Sequence, residues 1–317
     1  MTGPSLRPAM APPVERAALD GAGRAGGRVG SGLLLAAAGA VAFSGKAIIV
    51  KLAYRHGVDA VTLIMYRMLF ALPLFVALAA WAGRGRPPLT RRDGWAVLGL
   101  GFSGYYLSSF LDFAGLAYVS AGLERLILYL NPTLVLAYGA IAFRRRVSMR
   151  QWLALAVSYL GMAIVFGQEA RLVGADVPLG TALVFASAVS YAVYLTCSGE
   201  VVRRIGAARL TGLATSVACL LCIAQFALLR PLSAAAVAPE VLWLSLLNAL
   251  ACTFAPVLMV MLAVDRVGAA MAAQVGLIGP LATITMGIVV LGEPFTAALA
   301  AGTVLVLAGI WLLARWR

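Results

Sequence analysis

The chain has 317 residues, of which 62% are hydrophobic and 12% charged, with a mean hydropathy of +0.96. That is too little charge to coat a soluble protein of this length, and amphipathic helices with charged faces are scarce, so the composition describes an all-α polytopic membrane protein. The net charge of +13 does not point to nucleic acid, because the arginines fall in short gaps between apolar runs rather than on one basic face.

Residues 1–30 are rich in Pro, Gly, Ala and Arg and hold no apolar stretch of signal-peptide length. They read as a disordered tail kept in the cytoplasm by Arg7, Arg16, Arg24 and Arg28. Apolar runs long enough to cross a bilayer then follow at 31–52, 59–81, 94–114, 119–142, 150–168, 178–199, 209–229, 240–263, 268–291 and 295–314. If the tail is inside, 18 of the 25 basic residues lie on that side: in the tail, at 84–92, 144–150 and 203–209, at Arg266, and at 315–317. Only Lys51, Arg55, Arg171 and Arg230 lie opposite. This bias predicts an even number of spans with both termini cytoplasmic, in a bacterial-type inner membrane. Trp81, Trp95, Trp152, Trp243, Trp311 and Trp316 all fall near the ends of these runs, as an aromatic belt requires. Cys219-x-x-Cys222 has the spacing of a redox motif, but inside an apolar run it reads as two small packing residues. The sole histidine, His56, cannot make a metal cluster, so neither a metal nor a cofactor is expected.

At an offset of 148 residues the chain matches itself. Pro132 meets Pro280, Gly139 meets Gly287, Gly161 meets Gly309, Val119 meets Val267, Ala121 meets Ala269 and Gly32 meets Gly180. The same offset superposes the predicted helix boundaries. Each half then holds five helices, and because five is odd the second half is inverted in the membrane, which is the architecture of many secondary transporters. Pro132 and Pro280 predict matching kinks in the fourth and ninth helices.

The ending LGEPFTAALAAGTVLVLAGIWLL resembles the close of an EamA domain of the drug/metabolite transporter superfamily, in which a Gly-Glu pair ends the fourth helix of a repeat. The segment FRRRVSMRQWLALAVSYLGMAIVF resembles the same element of the first half, with Arg144-Arg145 where Gly-Glu is expected. AYVSAGLERLILYLNPTLV is similar to the fourth helix of some EamA proteins. The resemblance implies ten helices in an inverted five-plus-five repeat, here 31–168 and 178–315. It also implies cytoplasmic termini and metabolite transport by alternating access around a central cavity, with helices 5 and 10 peripheral.

Five charges fall inside predicted helices: Lys46, Arg67, Asp112, Glu124 and Arg125. At 1.5 Å per residue all five lie within roughly 3–12 Å of the outer boundary. Intramembrane charges face protein or a water-filled cavity, so this layer is the expected substrate site, its alternative being a structural ion network. Adjacent residues on a helix diverge by about 100°, so Glu124 and Arg125 need different partners. Glu124 is expected to pair with Lys46 or Arg67, and Arg125 with Asp112. Three positive and two negative charges leave an excess of +1, which suits an anionic or zwitterionic metabolite such as an amino acid. The equivalents of Lys46, Glu124 and Arg125 in the second half are Tyr194, Ala272 and Ala273. This predicts an uncharged inner layer built from Tyr191, Tyr194 and Gln274, near Ser190. Further polar candidates are Asn131, Tyr105, Tyr106, Ser108, Ser109, Asn248 and Thr253. Asn131 precedes the kink, where it can line the cavity or bond local backbone.

The function expected is a secondary transporter that exports a small metabolite, with Glu124 as a proton site if protons are the coupling ion. A membrane-embedded enzyme needs convergent catalytic groups that the sequence does not offer. A non-transporting scaffold or receptor predicts no inverted repeat.

Overall fold

The computed structural model describes residues 13–143, 148–172 and 174–315. The first twelve residues of the expected tail lie outside the described residues, as does the Arg144-Arg145 pair. Helix α1 (Pro13–Tyr54) starts earlier than the tail assignment implies, and its membrane-apolar part is Val29–Tyr54. Asp59 caps α2 (Ala60–Gly83) by accepting from the Val61 and Thr62 amides. Thr90 and Asp93 form a capping box at the start of α3, which runs as Arg91–Gly101, a π-helical turn Phe102–Leu107, and Ser108–Leu116. Helix α4 comes in two pieces, Ala121–Leu128 and Asn131–Phe143, and α5 is Met149–Leu172.

The second half opens with α6 (Val177–Ile205), which runs six residues beyond its apolar stretch until Gly206, at φ 87°, ends it. Then come α7 (Ala207–Leu229) and α8 (Pro239–Gly268), the latter with a π-helical turn at Leu250–Phe254. Gly268 leaves helical geometry at φ 80°, after which the chain resumes as α9 with an apolar span Gln274–Leu291. Helix α10 is Ala297–Arg315. Eight helices among the described residues are long and apolar enough to cross a membrane unaided. The other two of the ten crossings are α3, which carries a π turn, and α4, which breaks between Leu128 and Asn131.

The inverted repeat is visible in the packing. α1 lies along α8 as α6 lies along α3; α2 packs on α7, and α5 on α10. The π turns of α3 and α8 begin at Phe102 and Leu250, which are equivalent positions. Close contacts repeat too. A methyl group on Gly32 would meet Val267 at 2.6 Å, and one on Gly180 would meet Val119 at 2.8 Å. Between α5 and α10, Gly161 and Gly302 bring the two backbones together, each 2.6–2.7 Å from the other's carbonyl oxygen at the Cβ position. Without a hydrophobic force between helices in lipid, such close approach is what holds them together.

The kinks have a full hydrogen-bond account. Pro132 has no amide to offer the Leu128 carbonyl, and Asn131 Nδ2 donates to it instead at 2.6 Å. Pro280 likewise frees the Gly276 carbonyl, and the Tyr129 hydroxyl donates to that at 2.5 Å. A polar side chain in α4 therefore replaces the missing bond at both breaks. Cys219 and Cys222 pack in the core with Met68 of α2, as small apolar side chains do.

Candidate functional site

A cavity of about 510 Å³ lies at the centre of the molecule, between the two halves. Lys46 and Asp112, Arg67 and Arg125, and Asn131 and Tyr191 all line it. It reaches Ala36, Val264 and Ala272, towards the side of the membrane that holds both termini.

Of the two expected pairings, Glu124 with Lys46 is found and Arg125 with Asp112 is not. Lys46 Nζ bonds Asp112 Oδ2 and lies 3.1 Å from Glu124 Oε1, so one ammonium holds two carboxylates. Glu124 is completely buried and stands behind Lys46 rather than in the cavity lining. Arg125 does not meet Asp112, which is a correction to the expected pairing: the lysine has already taken that carboxylate. Arg125 turns instead to Ser44, whose hydroxyl accepts at 3.2 Å, and its guanidinium sits 5.2 Å over the Tyr129 ring. Ser44 in turn donates to the Gly279 carbonyl at 2.8 Å, beside the second kink. A Cβ on Gly279 would lie 2.4 Å from the Tyr129 hydroxyl and 2.7 Å from Arg125 Nη2, so a larger residue would displace both groups. Arg67 is also buried; its Nε donates to Thr253 at 3.0 Å and its plane lies 5.0 Å from the Phe113 ring. Arg67 Nη1 and Arg125 Nε have no hydrogen-bond partner, and no carboxylate oxygen lies within 4.0 Å of either guanidinium among the described residues.

Of the inner-layer candidates, only Tyr191 lines the cavity. Tyr194 packs under Gly104 and shares a 3.2 Å hydroxyl contact with Tyr105. Gln274 lies in a separate lateral groove with Trp311 and Arg315. Ser190 donates to the Ser103 carbonyl, tying α6 to the π turn of α3. Asn131 does both things considered for it: its amide bonds Leu128, and its side chain lines the cavity with Oδ1 unpaired. Ser44, Tyr129 and Ser187 were not singled out by sequence. Tyr129 precedes Pro132 by three residues, and that spacing was the available signal.

The end of the cavity opposite the termini is tied shut. Lys51 Nζ donates to the Val119 carbonyl at 2.7 Å, Tyr54 to the Phe113 carbonyl, and Arg55 Nη2 to the Leu291 carbonyl at 2.9 Å. Helix α4 begins there, and two carboxylates satisfy its first amides. Glu169 accepts from the Ser120 amide and hydroxyl, and Glu293 accepts from the Ala121 amide at 2.9 Å. The Gly-Glu pair of the motif is explained by this: Gly292 takes a left-handed turn at φ 73° so that Glu293 can reach back.

Two carboxylates outside the membrane carry clear electrostatic signatures. Burial alone would push the Asp59 carboxyl up, but hydrogen bonds from Thr62 and Arg230 outweigh it and hold it below its ordinary value. Hydrogen bonds from Thr90 depress Asp93 in the same way, helped by Arg204 at 2.8 Å.

Residues 30–167 and 178–315 each match the EamA-like transporter family. An uncharacterized transporter, YcbK, of Bacillus subtilis (strain 168) is 30% identical over 272 residues, covering 83% of this chain and 86% of that protein. A crystal structure, 20% identical, superposes over 90% of this chain and 98% of its own with a TM-score of 0.60, which shows the shared fold. Two family repeats, a multi-pass helical bundle and a central cavity that buried charges line converge: this chain belongs to the EamA-like transporter family.

Proposed function

We propose that the protein exports a small metabolite bearing a carboxylate, an amino acid or a related zwitterionic or anionic compound, across a bacterial-type cytoplasmic membrane by alternating access. The observation that carries this reading is the pair of guanidiniums, Arg67 and Arg125, that line the cavity with no carboxylate partner among the described residues. An arginine matches a carboxylate through its planar fork of donors. Asp112 and Glu124 are taken up by Lys46, so the excess positive charge rests on the two arginines. Efflux is supported by the cavity's reach towards the termini, which the arginine distribution assigns to the cytoplasm. Two carboxylates that share one buried ammonium also favour protons as the coupling ion, since intramembrane acidic groups serve proton relays.

The test is thermal stability of the purified protein against amino acids, organic acids, nucleosides and amines. A ligand that binds the folded form stabilises by RT ln(1 + [L]/Kd), about 2.7 kcal/mol at a hundredfold excess over Kd. Carboxylates are expected to stabilise the wild type but neither Arg67→Gln nor Arg125→Gln, with both variants folded. Stabilisation by amines alone, or stabilisation that survives in both variants, would overturn the reading.

A further inference from the structure

The repeat has a consequence for gating. The three bonds that close the end opposite the termini each have an image under the 148-residue offset. Lys51 on Val119 maps to Gly199 on Val267, Tyr54 on Phe113 to Val202 on Met261, and Arg55 on Leu291 to Arg203 on Phe143. The image lies at the other end of the molecule, because the second half is inverted. Much of the surrounding frame obeys the same exchange: the π turns of α3 and α8 coincide, and the Gly32 and Gly180 contacts are images of one another, while the π turn Gly287–Leu291 of α9 has no image in α4.

We infer that residues 199–203 of α6 close on 261–267 of α8 to form the termini-side gate, and that Arg203 is its polar latch. This rests on the alternating-access reading and names the residues that complete it. Arg203 alone repeats its image: where the far end has Lys51, Tyr54 and Arg55, this end has Gly199, Val202 and Arg203. Arg203 is exposed, and no side-chain bond engages it among the described residues, as befits a latch whose gate is open. The target of its image, Arg55, is a carbonyl near the C-terminal end of α9, where a cation also meets the negative end of the helix dipole. Phe143 is the last residue of α4 as Leu291 is of α9.

The two gates are therefore unequal. One is held by three donors and the other by one, so the empty carrier rests open towards the termini. This is the side from which an exporter is loaded.

Hydrogen–deuterium exchange on the full chain reads both gates and needs no ligand, so its result does not depend on which cargo is carried. Tyr54→Phe removes one hydroxyl donor with almost no change of shape. The expected result is faster exchange at 113–121 with slower exchange at 199–205 and 261–267. The shift in gate population is about fivefold, the equivalent of about 1 kcal/mol for one hydrogen bond. Lys51→Gly combined with Tyr54→Val, which installs the image residues, is expected to shift it further. Adding Arg203→Met to Tyr54→Phe is expected to reverse the slowing at 199–205. If the far end loosens while 199–205 and 261–267 exchange as before, the two ends are not linked and the inference fails. It fails equally if Arg203→Met leaves the slowing intact.

Discussion

Lys46 is the residue whose loss should cost the fold most for its size. It holds two carboxylates, one of them completely buried, and Glu124 Oε1 lies 3.1 Å from its ammonium. At that distance, with an effective dielectric of 20, the gross attraction is about 5 kcal/mol. Desolvation of the charges offsets much of it, so the net value of the triad is small. Breaking it is another matter. Lys46→Met leaves Asp112 and Glu124 facing each other with no cation, and one-sided removal of a buried partner costs about 3–5 kcal/mol. The loss should be read from SDS- or urea-driven unfolding in mixed micelles. Glu124→Gln should cost less, about 1–3 kcal/mol, because Asp112 still neutralises the lysine. The double variant Lys46→Met/Glu124→Leu should recover a large part of the first loss, since only one carboxylate is then left without its cation. A loss below about 1 kcal/mol for Lys46→Met, or no recovery in the double variant, would refute the reasoning that these charges are mutually buried.

Asn131→Ala leaves the Leu128 carbonyl unbonded and should cost about 1–3 kcal/mol, while adding Pro132→Ala restores an amide donor and should reduce that loss, measured as a double-mutant cycle. Gly302→Ala should destabilise by about 1–3 kcal/mol, because its methyl would sit 2.3 Å from Val165 and 2.6 Å from the Gly161 carbonyl oxygen. Gly99→Ala, with nothing within 4 Å, should instead stabilise by about 0.5–1 kcal/mol in the same unfolding assay. Asp59→Ala removes the α2 cap and should cost about 1 kcal/mol. The Asp59 carboxyl is held below its unfolded value, so its contribution is full above about pH 4 and is lost as pH falls through the folded value. Melting temperatures of wild type and Asp59→Asn should therefore converge below pH 4.

The fold was legible because bilayer thickness demands long apolar runs, and eight of the ten crossings are helices that declare themselves that way among the described residues. The divided course of α4 was foreseeable from Pro132, but its exact break at Tyr129 and Leu130 depends on which side chains can reach the orphaned carbonyl. An expected depth for Lys46, Arg67, Asp112, Glu124 and Arg125 needs only a count of residues from a helix end. Partnership needs more. Asp112 lies on α3 and Lys46 on α1, and which carboxylate an ammonium takes is set by how those helices rotate against each other. Tyr194 looked equivalent to Tyr191 from its spacing, yet Gly104 makes room for its ring and hides it. Ser44 and Tyr129 carried no sequence signal of charge, and their importance comes from backbone atoms that proline set free.

The coincident π turns at Phe102–Leu107 and Leu250–Phe254 join the two halves mechanically. The turn in α3 packs on α6 and α7, and the turn in α8 packs on α1 and α2. Each half thus lays its widened turn against the first two helices of the other. A change of shape at either bulge is therefore felt across the boundary between the halves.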